Sequence, residues 1–345
     1  MTYQIVTLAG DGIGPEIMAA GLDVLAAVAK KIHFDYDLKD FPFGGAGIDA
    51  SGHPLPAETL AAAKSADAIL LAAIGSPEYD KAPVRPEQGL LQLREDLGLF
   101  ANIRPLKIFP ALAHLSPLKA DRLEGLDFVV VRELTSGIYF GKHELSEDWA
   151  EDINRYTHSE IKRILRTAFR LAQTRRGKVT SIDKQNVLAT SKLWRQVADE
   201  VAKEFPDVQL EHQLVDSAAM LMITQPSRFD VIVTENLFGD ILSDEASVLA
   251  GSLGLMPSAS HSETGPSLYE PIHGSAPDIA GQGLANPISM VLSVAMMLRE
   301  SFGQETGARM IEEAVETVLA EGVLTADLGG QASTTQMTEA IIQNL

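Results

Sequence analysis

The sequence contains no cysteine among its 345 residues. Disulfides, thiol nucleophiles and thiolate metal sites are therefore excluded, and the composition fits a reducing compartment. Basic residues are also scarce, since 28 Lys and Arg stand against 47 Asp and Glu, which gives a net charge of −19. A chain of that charge repels phosphate backbones and anionic membrane surfaces, so neither nucleic acid nor a membrane is an expected partner.

Long apolar runs are missing as well. The most apolar stretch, SMVLSVAMML (residues 289–298), is far shorter than the roughly 18 residues that a membrane-spanning helix needs. The N-terminus lacks a basic region followed by an apolar core, which is the pattern of a secretory segment. These features predict a soluble, cytoplasmic protein.

Short β-branched runs alternate with longer segments in which apolar residues recur at a spacing of three to four. This alternation is typical of an α/β fold. The predicted strands are YQIVTLA, DAILLAAI, DFVVVREL, KVTSID, VQLEHQLVD and DVIVTE. The chain is long enough for about two domains, although no Ser/Gly linker marks a boundary. Residues 136–160 are polar and dotted with aromatics, and they fit either a projecting arm or a surface loop.

The motif GDGIGPE (residues 10–16) lies between a predicted strand and a predicted helix. A Rossmann fingerprint would need its third glycine where Pro15 stands, and an acidic residue at the end of a second strand. Since neither is evident, the motif predicts a tight turn with Pro15 at the first helical position. The backbone of such a turn can still face a ligand.

Charged and polar residues follow three of the predicted strands. Lys184 follows KVTSID, Asp216 ends VQLEHQLVD, and Glu235 and Asn236 follow DVIVT. Ligands of open α/β sheets bind beyond the carboxyl ends of the strands, so this coincidence predicts a site. Taken singly, Asp216 fits a helix cap and Lys184 an ordinary surface lysine.

Asp240 and Asp244 lie four residues apart in NLFGDILSDEAS (residues 236–247), which is predicted to be helical. Like charges at this spacing oppose a helix by roughly 0.2–0.5 kcal/mol. Either the pair lies on a solvated face, or a cation binds between the two carboxylates. An all-oxygen set of ligands without His or Cys suits Mg²⁺ or Mn²⁺ better than zinc.

Three arginines and one tyrosine extend the candidate set. Arg94, Arg104 and Arg132 each lie beside apolar residues, in GLLQLRED, FANIRPLK and DFVVVRE. An exposed salt bridge would explain any one of them, whereas several guanidinium groups near a metal would suit a small polycarboxylate. Tyr139, in GIYFG, is a candidate acid, although alone it would be interpreted as a packed aromatic.

Several stretches together resemble the metal-dependent β-decarboxylating dehydrogenases of the isocitrate/isopropylmalate dehydrogenase family. They are GDGIGPE, GLLQLR, FANIRP, RELTSGIYFG, DKQNVLATSKLWR, NLFGDILSDEAS, GSLGLMPSAS and LYEPIHGSAPDIAGQGLANP. The resemblance implies an α/β fold that is not a Rossmann fold, with residues 1–99 and 252–345 in one domain, residues 100–251 in the other, and the active-site cleft between them. It also implies a homodimer in which the arm-like segment and helices of the second domain form the subunit contact.

The resemblance assigns roles to the candidate residues. The metal would bind to Asp240 and Asp244 of one subunit and Asp216 of the other, which would account for the aspartate pair. Tyr139 and Lys184 match the catalytic pair of the family, with Lys184 reaching across the dimer. The expected substrate contacts are Arg94, Arg104, Arg132, Asp216 and Leu90.

The expected cofactor is NAD, held by the loop HGSAPDIAGQGLANP. NADP-using relatives have Lys and Tyr where this chain has Asp278 and Ile279, and a carboxylate at that point would repel a 2′-phosphate. Without the resemblance, the stretch would be interpreted as a solvent-exposed glycine loop. The expected cofactor contacts are Gly75, Glu87, Gly274, Ser275, Ala276, Pro277, Asp278, Ile279 and Asn286.

Leu90 and Leu91 lie one turn before Arg94 and could project toward the same substrate. Isocitrate-using relatives carry a hydroxyl residue where Leu90 stands, while leucine suits a branched alkyl group. The expected reaction is therefore the oxidative decarboxylation of 3-isopropylmalate to 4-methyl-2-oxopentanoate, a step of leucine biosynthesis. D-malate, tartrate and homoisocitrate are alternative substrates. A magnesium-dependent lyase or phosphatase and a non-catalytic acidic dimer are the alternative classes.

Overall fold

Strands and helices alternate along most of residues 2–345, which a computed structural model describes. The strands are β1 (Tyr3–Gly10), β2 (Tyr36–Asp40), β3 (Ala68–Ala73), β4 (Ala101–Lys107), β5 (Asp127–Glu133), β6 (His143–Leu145), β7 (Ala150–Asp152), β8 (Lys178–Asp183), β9 (Gln209–Leu214), β10 (Val231–Thr234), β11 (Pro257–His261) and β12 (Ser267–Pro271). The helices are α1 (Gly14–Ile32), α2 (Gly45–Ser51), α3 (Ala57–Ser65), α4 (Pro86–Leu97), α5 (Ala120–Leu123), α6 (His158–Gln173), α7 (Ala189–Ala202), α8 (Val215–Thr224), α9 (Asn236–Leu249), α10 (Ile288–Glu300), α11 (Glu305–Ala320) and α12 (Thr334–Asn344).

Every strand predicted from the sequence is present, and the predicted helix around Asp240 is α9. Two local predictions were wrong. Strand β9 ends at Leu214, so Asp216 lies in the first turn of α8 instead of at a strand end. Helix α1 begins at Gly14, so Pro15 is its second residue. Strands β2, β4, β6, β7, β11 and β12 were not predicted.

The chain divides into two compact units. The first comprises residues 1–99, 109–115 and 251–345, and the second comprises residues 100–108 and 116–250. The domain boundaries inferred from the sequence stay a prediction, and the units depart from them mainly at residues 109–115, which belong to the first unit.

Helix α10 is the core of the first unit. Every residue from Ile288 to Leu298 is buried, and a helix that is apolar on all sides is expected at such a position. Helix α1 approaches it closely, since a Cβ at Gly21 would lie 3.0 Å from Met290 Cγ. The strands of this unit follow the order β2-β1-β3-β12-β11, parallel except for the β11–β12 pair. The apolar stretch 289–298 is thus a core helix, and within residues 2–345 no helix is long and apolar enough to cross a membrane.

The strands of the second unit follow the order β4-β5-β10-β8-β9. Strands β5, β10, β8 and β9 are parallel, and β4 is antiparallel to β5. The register places Thr234 beside both Arg132 and Ile182 near the carboxyl ends of their strands. The strand ends before Lys184 and Glu235 therefore meet at one edge, as the sequence predicted.

The polar segment after Tyr139 contains a short hairpin. Strands β6 and β7 pair in an antiparallel manner from His143 to Asp152, and all of their residues are exposed. Leu145 and Trp149 expose 86% and 52% of their surface. Such exposure is typical of an arm that another surface covers, and it contrasts with α6, whose apolar face is buried.

Asp11 connects three parts of the first unit. Its carboxylate accepts hydrogen bonds from the backbone amides of Gly45 (2.9 Å), Ala46 (3.0 Å) and Gly75 (2.9 Å). Only 8% of Asp11 is exposed. Replacing it with a residue that cannot accept hydrogen bonds would leave these amides without a partner, and their desolvation would destabilise the folded state. The turn that begins α1 is thereby tied to the start of α2 and to the loop after β3.

We predict that Asp11→Ala destabilises the protein by about 2–3 kcal/mol, because buried donors lose a charged acceptor. The effect should appear as a lowered midpoint of urea unfolding. Asp67→Ala is the matched control, since Asp67 accepts a single backbone hydrogen bond (Gln4 N, 2.7 Å) at an exposed position. Equal destabilisation by the two substitutions would contradict the structural role of Asp11.

Candidate active site

Helix α9 presents its two aspartates to one side. Leu242, Ala246 and Leu249 form the buried face of the helix. The side chain of Asp240 is 36% exposed and that of Asp244 is 73% exposed, so both carboxylates reach the surface of the second unit. The predicted shared face is confirmed by the helical geometry.

Arg132, at the end of β5, lies against the first turn of α9. Its Nε donates to the backbone carbonyl of Asn236 (3.0 Å), its Nη2 donates to Asn236 Oδ1 (2.8 Å), and its Nη1 donates to Asp240. The side chain is only 5% exposed. Gly239 permits this approach, since a Cβ there would lie 2.6 Å from Arg132 Cγ. A buried guanidinium thus forms an ion pair with one of the two aspartates.

Arg104, on β4, reaches the next turn of α9. Its Nη1 donates to Ser243 Oγ (2.6 Å) and lies 3.5 Å from Asp244 Oδ1, while its Nε donates to Asn102 Oδ1 (2.7 Å). Each aspartate of α9 therefore has an arginine beside it. These two ion pairs offset the repulsion between the carboxylates of Asp240 and Asp244 that their spacing in the sequence predicts.

Tyr139 completes this group, to which we refer as the Asp240 cluster (Arg104, Arg132, Tyr139, Asp240 and Asp244). Its hydroxyl donates to Asp240 Oδ2 (2.7 Å), and the Arg132 guanidinium lies 5.7 Å from the ring centroid. Burial and the hydrogen bond to Asp240 raise the pKa of Tyr139 to about 12. The phenol is therefore protonated at neutral pH, as a proton donor must be.

Lys184 and Asp216 form a second, separate pair. Lys184 Nζ donates to Asp216 Oδ1 at 2.5 Å, and its backbone amide donates to the buried Ser191 Oγ (3.0 Å). The Lys184 ammonium holds the pKa of Asp216 below its usual value. The Asp216 side chain is 59% exposed, so its carboxylate can contact another molecule.

The aspartates fit a hard divalent cation by their chemistry, since all of their donor atoms are carboxylate oxygens. Among residues 2–345, no three acidic or histidine side chains gather closely enough to hold a metal. A metal site whose third ligand is Asp216 of another subunit would not assemble within one chain. The metal-ligand roles of Asp216, Asp240 and Asp244 stay predictions.

In the first unit, Arg94 is held by a carboxylate. Its Nη2 donates to Glu270 Oε1 at 3.0 Å, and both side chains are largely buried. Leu90, one turn earlier on α4, packs against the core around Phe43 and Leu93, whereas Leu91 is 42% exposed. The structure thus gives Leu90 a packing role, and its predicted contact with substrate remains untested.

The predicted cofactor residues converge at several points. A Cβ built on Gly75 would lie 3.4 Å from Ser275 Oγ and 3.5 Å from Glu87 Oε1. Gly12 (φ +57°) approaches the same loop, because a Cβ there would lie 2.1 Å from the Ser275 carbonyl oxygen. Gly75 and Pro277 also line a cavity of about 300 Å³. The GDGIGPE turn and the glycine loop therefore form one surface.

The remaining loop residues differ in accessibility. Asp278 is exposed, and Gly274 has open space at its Cα. Ala276 has a φ of +38°, and Ile279 donates its backbone amide to the Ala276 carbonyl at 3.1 Å. Asn286 is buried; its Oδ1 accepts from the backbone amide of Ile288 (3.0 Å), the first residue of α10, and its Nδ2 donates to Asp327 (3.0 Å).

The sequence did not point to several supporting residues. Asn102 and Glu270 orient Arg104 and Arg94, and Asp183 forms a bidentate pair with Arg195 beside Lys184 (2.9 and 3.1 Å). Two of these pairs have a local signal, since Asp183 and Arg195 lie in the motif DKQNVLATSKLWR and Asn102 and Arg104 lie in the motif FANIRP. Glu270 is far from Arg94 in the sequence, so no local pattern connects them.

Glu235, at the N-terminus of α9, is a buried carboxyl group. Its pKa is raised to about 7, chiefly by burial and to a smaller extent by the carboxylates of Asp183 and Glu133, while a hydrogen bond from Asn154 opposes the shift. A folded-state pKa above the unfolded value means that the native state holds the extra proton. Stability is therefore lost as the pH rises from about 4.5 toward 7.

We predict that Glu235→Gln removes this loss, because the amide carries no charge at any pH. The variant should be more stable than the wild type by on the order of 2–3 kcal/mol at pH 8 and about equally stable at pH 5. Urea unfolding of both proteins at the two pH values measures the difference. A stability difference between the two proteins that is the same at pH 5 and pH 8 would refute the raised pKa of Glu235.

Comparisons with known proteins identify the family of this chain. The family model described as isocitrate/isopropylmalate dehydrogenase matches residues 4–341. The chain is 76% identical to the 3-isopropylmalate dehydrogenase of Streptococcus thermophilus over all of both chains, and 69% identical to that of Lactococcus lactis over 100% of this chain and 99% of the relative. The crystal structure of isocitrate dehydrogenase from Methylococcus capsulatus superposes with a TM-score of 0.89 at 37% identity, covering 99% of each chain. The resemblance inferred from the motifs is confirmed: the chain belongs to the isocitrate/isopropylmalate dehydrogenase family.

Proposed function

We propose that this protein is a 3-isopropylmalate dehydrogenase, which oxidatively decarboxylates 3-isopropylmalate to 4-methyl-2-oxopentanoate with NAD in leucine biosynthesis. The observation that carries the proposal is the Asp240 cluster, in which a protonated phenol, two arginines and two carboxylates meet beside one helix. The high identity to 3-isopropylmalate dehydrogenases along the whole chain supports it. A cytoplasmic location follows from this role.

The residues present fit the two groups that the reaction requires. Asp240 and Asp244, with Asp216 of a second subunit, would hold Mg²⁺ or Mn²⁺, and Asp278 would accept hydrogen bonds from the ribose diol of NAD. When bound, the cation supplies Lewis-acid polarisation of the substrate and NAD accepts the hydride. The exposed Asp278 carboxylate would repel the 2′-phosphate of NADP, so NAD is the proposed cofactor.

The side chains of the protein bind the substrate and move its protons. Arg94, Arg104 and Arg132 would bind carboxylates, for which the planar guanidinium is suited. Lys184 would accept the proton of the substrate hydroxyl, directly or through water. Tyr139 would donate a proton to the carbon from which carbon dioxide has left, consistent with a phenol whose raised pKa keeps it protonated.

We predict that NAD reduction in the presence of Mg²⁺ or Mn²⁺ is fastest, by kcat/KM, with 3-isopropylmalate among substituted malates, tartrate and homoisocitrate. Chelation by EDTA should abolish turnover, as should Asp240→Asn in a folded protein, because an amide is a poorer ligand for a hard cation. Consumption of substrate without formation of NADH would favour a lyase instead. Full activity of Asp240→Asn would refute the metal assignment.

The same assay tests whether Leu90 contacts the alkyl group of the substrate. We predict that Leu90→Ala lowers kcat/KM for 3-isopropylmalate by about tenfold or more, and that for unsubstituted D-malate much less, because only the first substrate presents the alkyl group. Leu91→Ala is the matched variant at the more exposed position. Equal losses for both substrates would show that Leu90 is only a core residue, and a selective loss in Leu91→Ala alone would place the contact there.

We also propose that the protein is a homodimer with shared active sites. Four exposed apolar side chains on two contacting helices of the second unit support this: Met220 and Ile223 on α8, and Ile241 and Val248 on α9. Within residues 2–345, Asp216 does not gather with Asp240 and Asp244 into a set that could hold a metal, which supports it further. Each subunit would supply one group to each of two sites.

We predict that mixed dimers of two inactive variants, Tyr139→Phe and Lys184→Ala, regain partial activity. One site of each heterodimer would hold both wild-type groups, so up to about half of the wild-type activity should return per heterodimer. Tagged chains and tandem purification would verify the exchange. No recovery in verified heterodimers would place both residues in a site formed by one chain.

A further inference from the structure

Asn236 contacts Arg132 and the turn that carries Tyr139, without reaching the surface. It is the first residue of α9 and is only 1% exposed. Buried amides must satisfy both their donor and their acceptor, so the partners of Asn236 fix how its side chain is turned. Those partners come from two segments that are distant from it in the sequence.

The acceptor side of Asn236 holds Arg132. Oδ1 accepts from Arg132 Nε (3.1 Å) and Nη2 (2.8 Å), and the backbone carbonyl accepts a further hydrogen bond from Nε (3.0 Å). Two bonds to one oxygen and one to the carbonyl define the plane of the guanidinium. Because arginine only donates, the oxygen of the amide must be the atom that faces it.

The donor side of Asn236 holds the turn that carries Tyr139. Nδ2 donates to the backbone carbonyl of Ser136 (3.2 Å), and the backbone amide of Asn236 donates to the hydroxyl of Tyr156 (2.9 Å). Gly137 packs against that same hydroxyl, since a Cβ there would lie 2.3 Å from it. Tyr139 follows in the 3-10 turn Gly137–Phe140.

We propose that Asn236 is a positioning residue that sets the distance between Arg132 and Tyr139. Its oxygen aligns the guanidinium and its nitrogen aligns the turn, so one rigid amide fixes both relative to Asp240. Being buried, it does not touch the substrate. This inference rests on the proposed function, because Arg132 and Tyr139 are the substrate-binding and proton-donating groups of that reaction.

Two substitutions separate the two sides of the amide. Asn236→Asp keeps an oxygen for Arg132 but places an acceptor opposite the Ser136 carbonyl, so only the Tyr139 turn should shift. Asn236→Ala removes both contacts. Thr59→Ala is the control, because it removes one buried hydrogen bond, to the Pro42 carbonyl (2.9 Å), in the other unit.

The measurement is steady-state kinetics at saturating Mn²⁺, with melting curves for each protein. For Asn236→Asp we expect kcat to fall by about tenfold or more, while KM for 3-isopropylmalate stays within about threefold. For Asn236→Ala we expect both the fall in kcat and a rise of about tenfold or more in KM for 3-isopropylmalate. KM for NAD should stay within about twofold in both variants.

The outcomes distinguish this inference from its premise. A wild type that forms no NADH from 3-isopropylmalate would refute the proposed function. If the wild type is active and both Asn236 variants retain its kcat and KM, Asn236 has only a structural role. The same conclusion holds if both variants lose no more activity than Thr59→Ala does at an equal loss of stability. The split between kcat and KM is the result that a general loss of stability would not produce.

Discussion

The arrangement of the second unit depends on the burial of one positive charge. A guanidinium that is almost fully removed from water is tolerated only if its donors are paired, and Arg132 meets this condition with Asn236 and Asp240. Helix α9 must therefore begin where β10 ends and lie close to β5. Gly239 supplies the space for this approach, and Asp240 brings the hydroxyl of Tyr139 to the same point.

The aspartate pair on α9 shows how residues distant in the sequence can offset a repulsion between neighbours on one helix. Asp240 and Asp244 repel each other along the helix, yet each lies beside an arginine that another strand supplies. A divalent cation would satisfy the same two carboxylates. The proposed site would therefore balance the charge of its carboxylates in two ways, with the arginines or with the cation.

Much of the fold could be predicted because its central elements have strong periodic patterns. Buried strands such as β3 and β10 are continuous apolar runs, and α1 and α9 carry regular apolar faces. Strand β2 was missed because YDLKD is largely exposed and pairs only with β1, and β11 because PSASH contains no large apolar side chain. The motifs identified the candidate residues, but the pairing of Arg94 with Glu270 and of Arg104 with Ser243 and Asp244 follows from tertiary packing, which no local pattern contains.

The carboxylate of Asp11 has a consequence for the motions of the first unit. It holds amide hydrogens from the start of α2 and from the loop after β3, which are far apart in the sequence. None of these amides can be exposed to solvent without breaking contact with the same acceptor. Because displacement of this one carboxylate would release all three amides, we expect the hydrogens of Gly45, Ala46 and Gly75 to exchange with deuterium at similar rates.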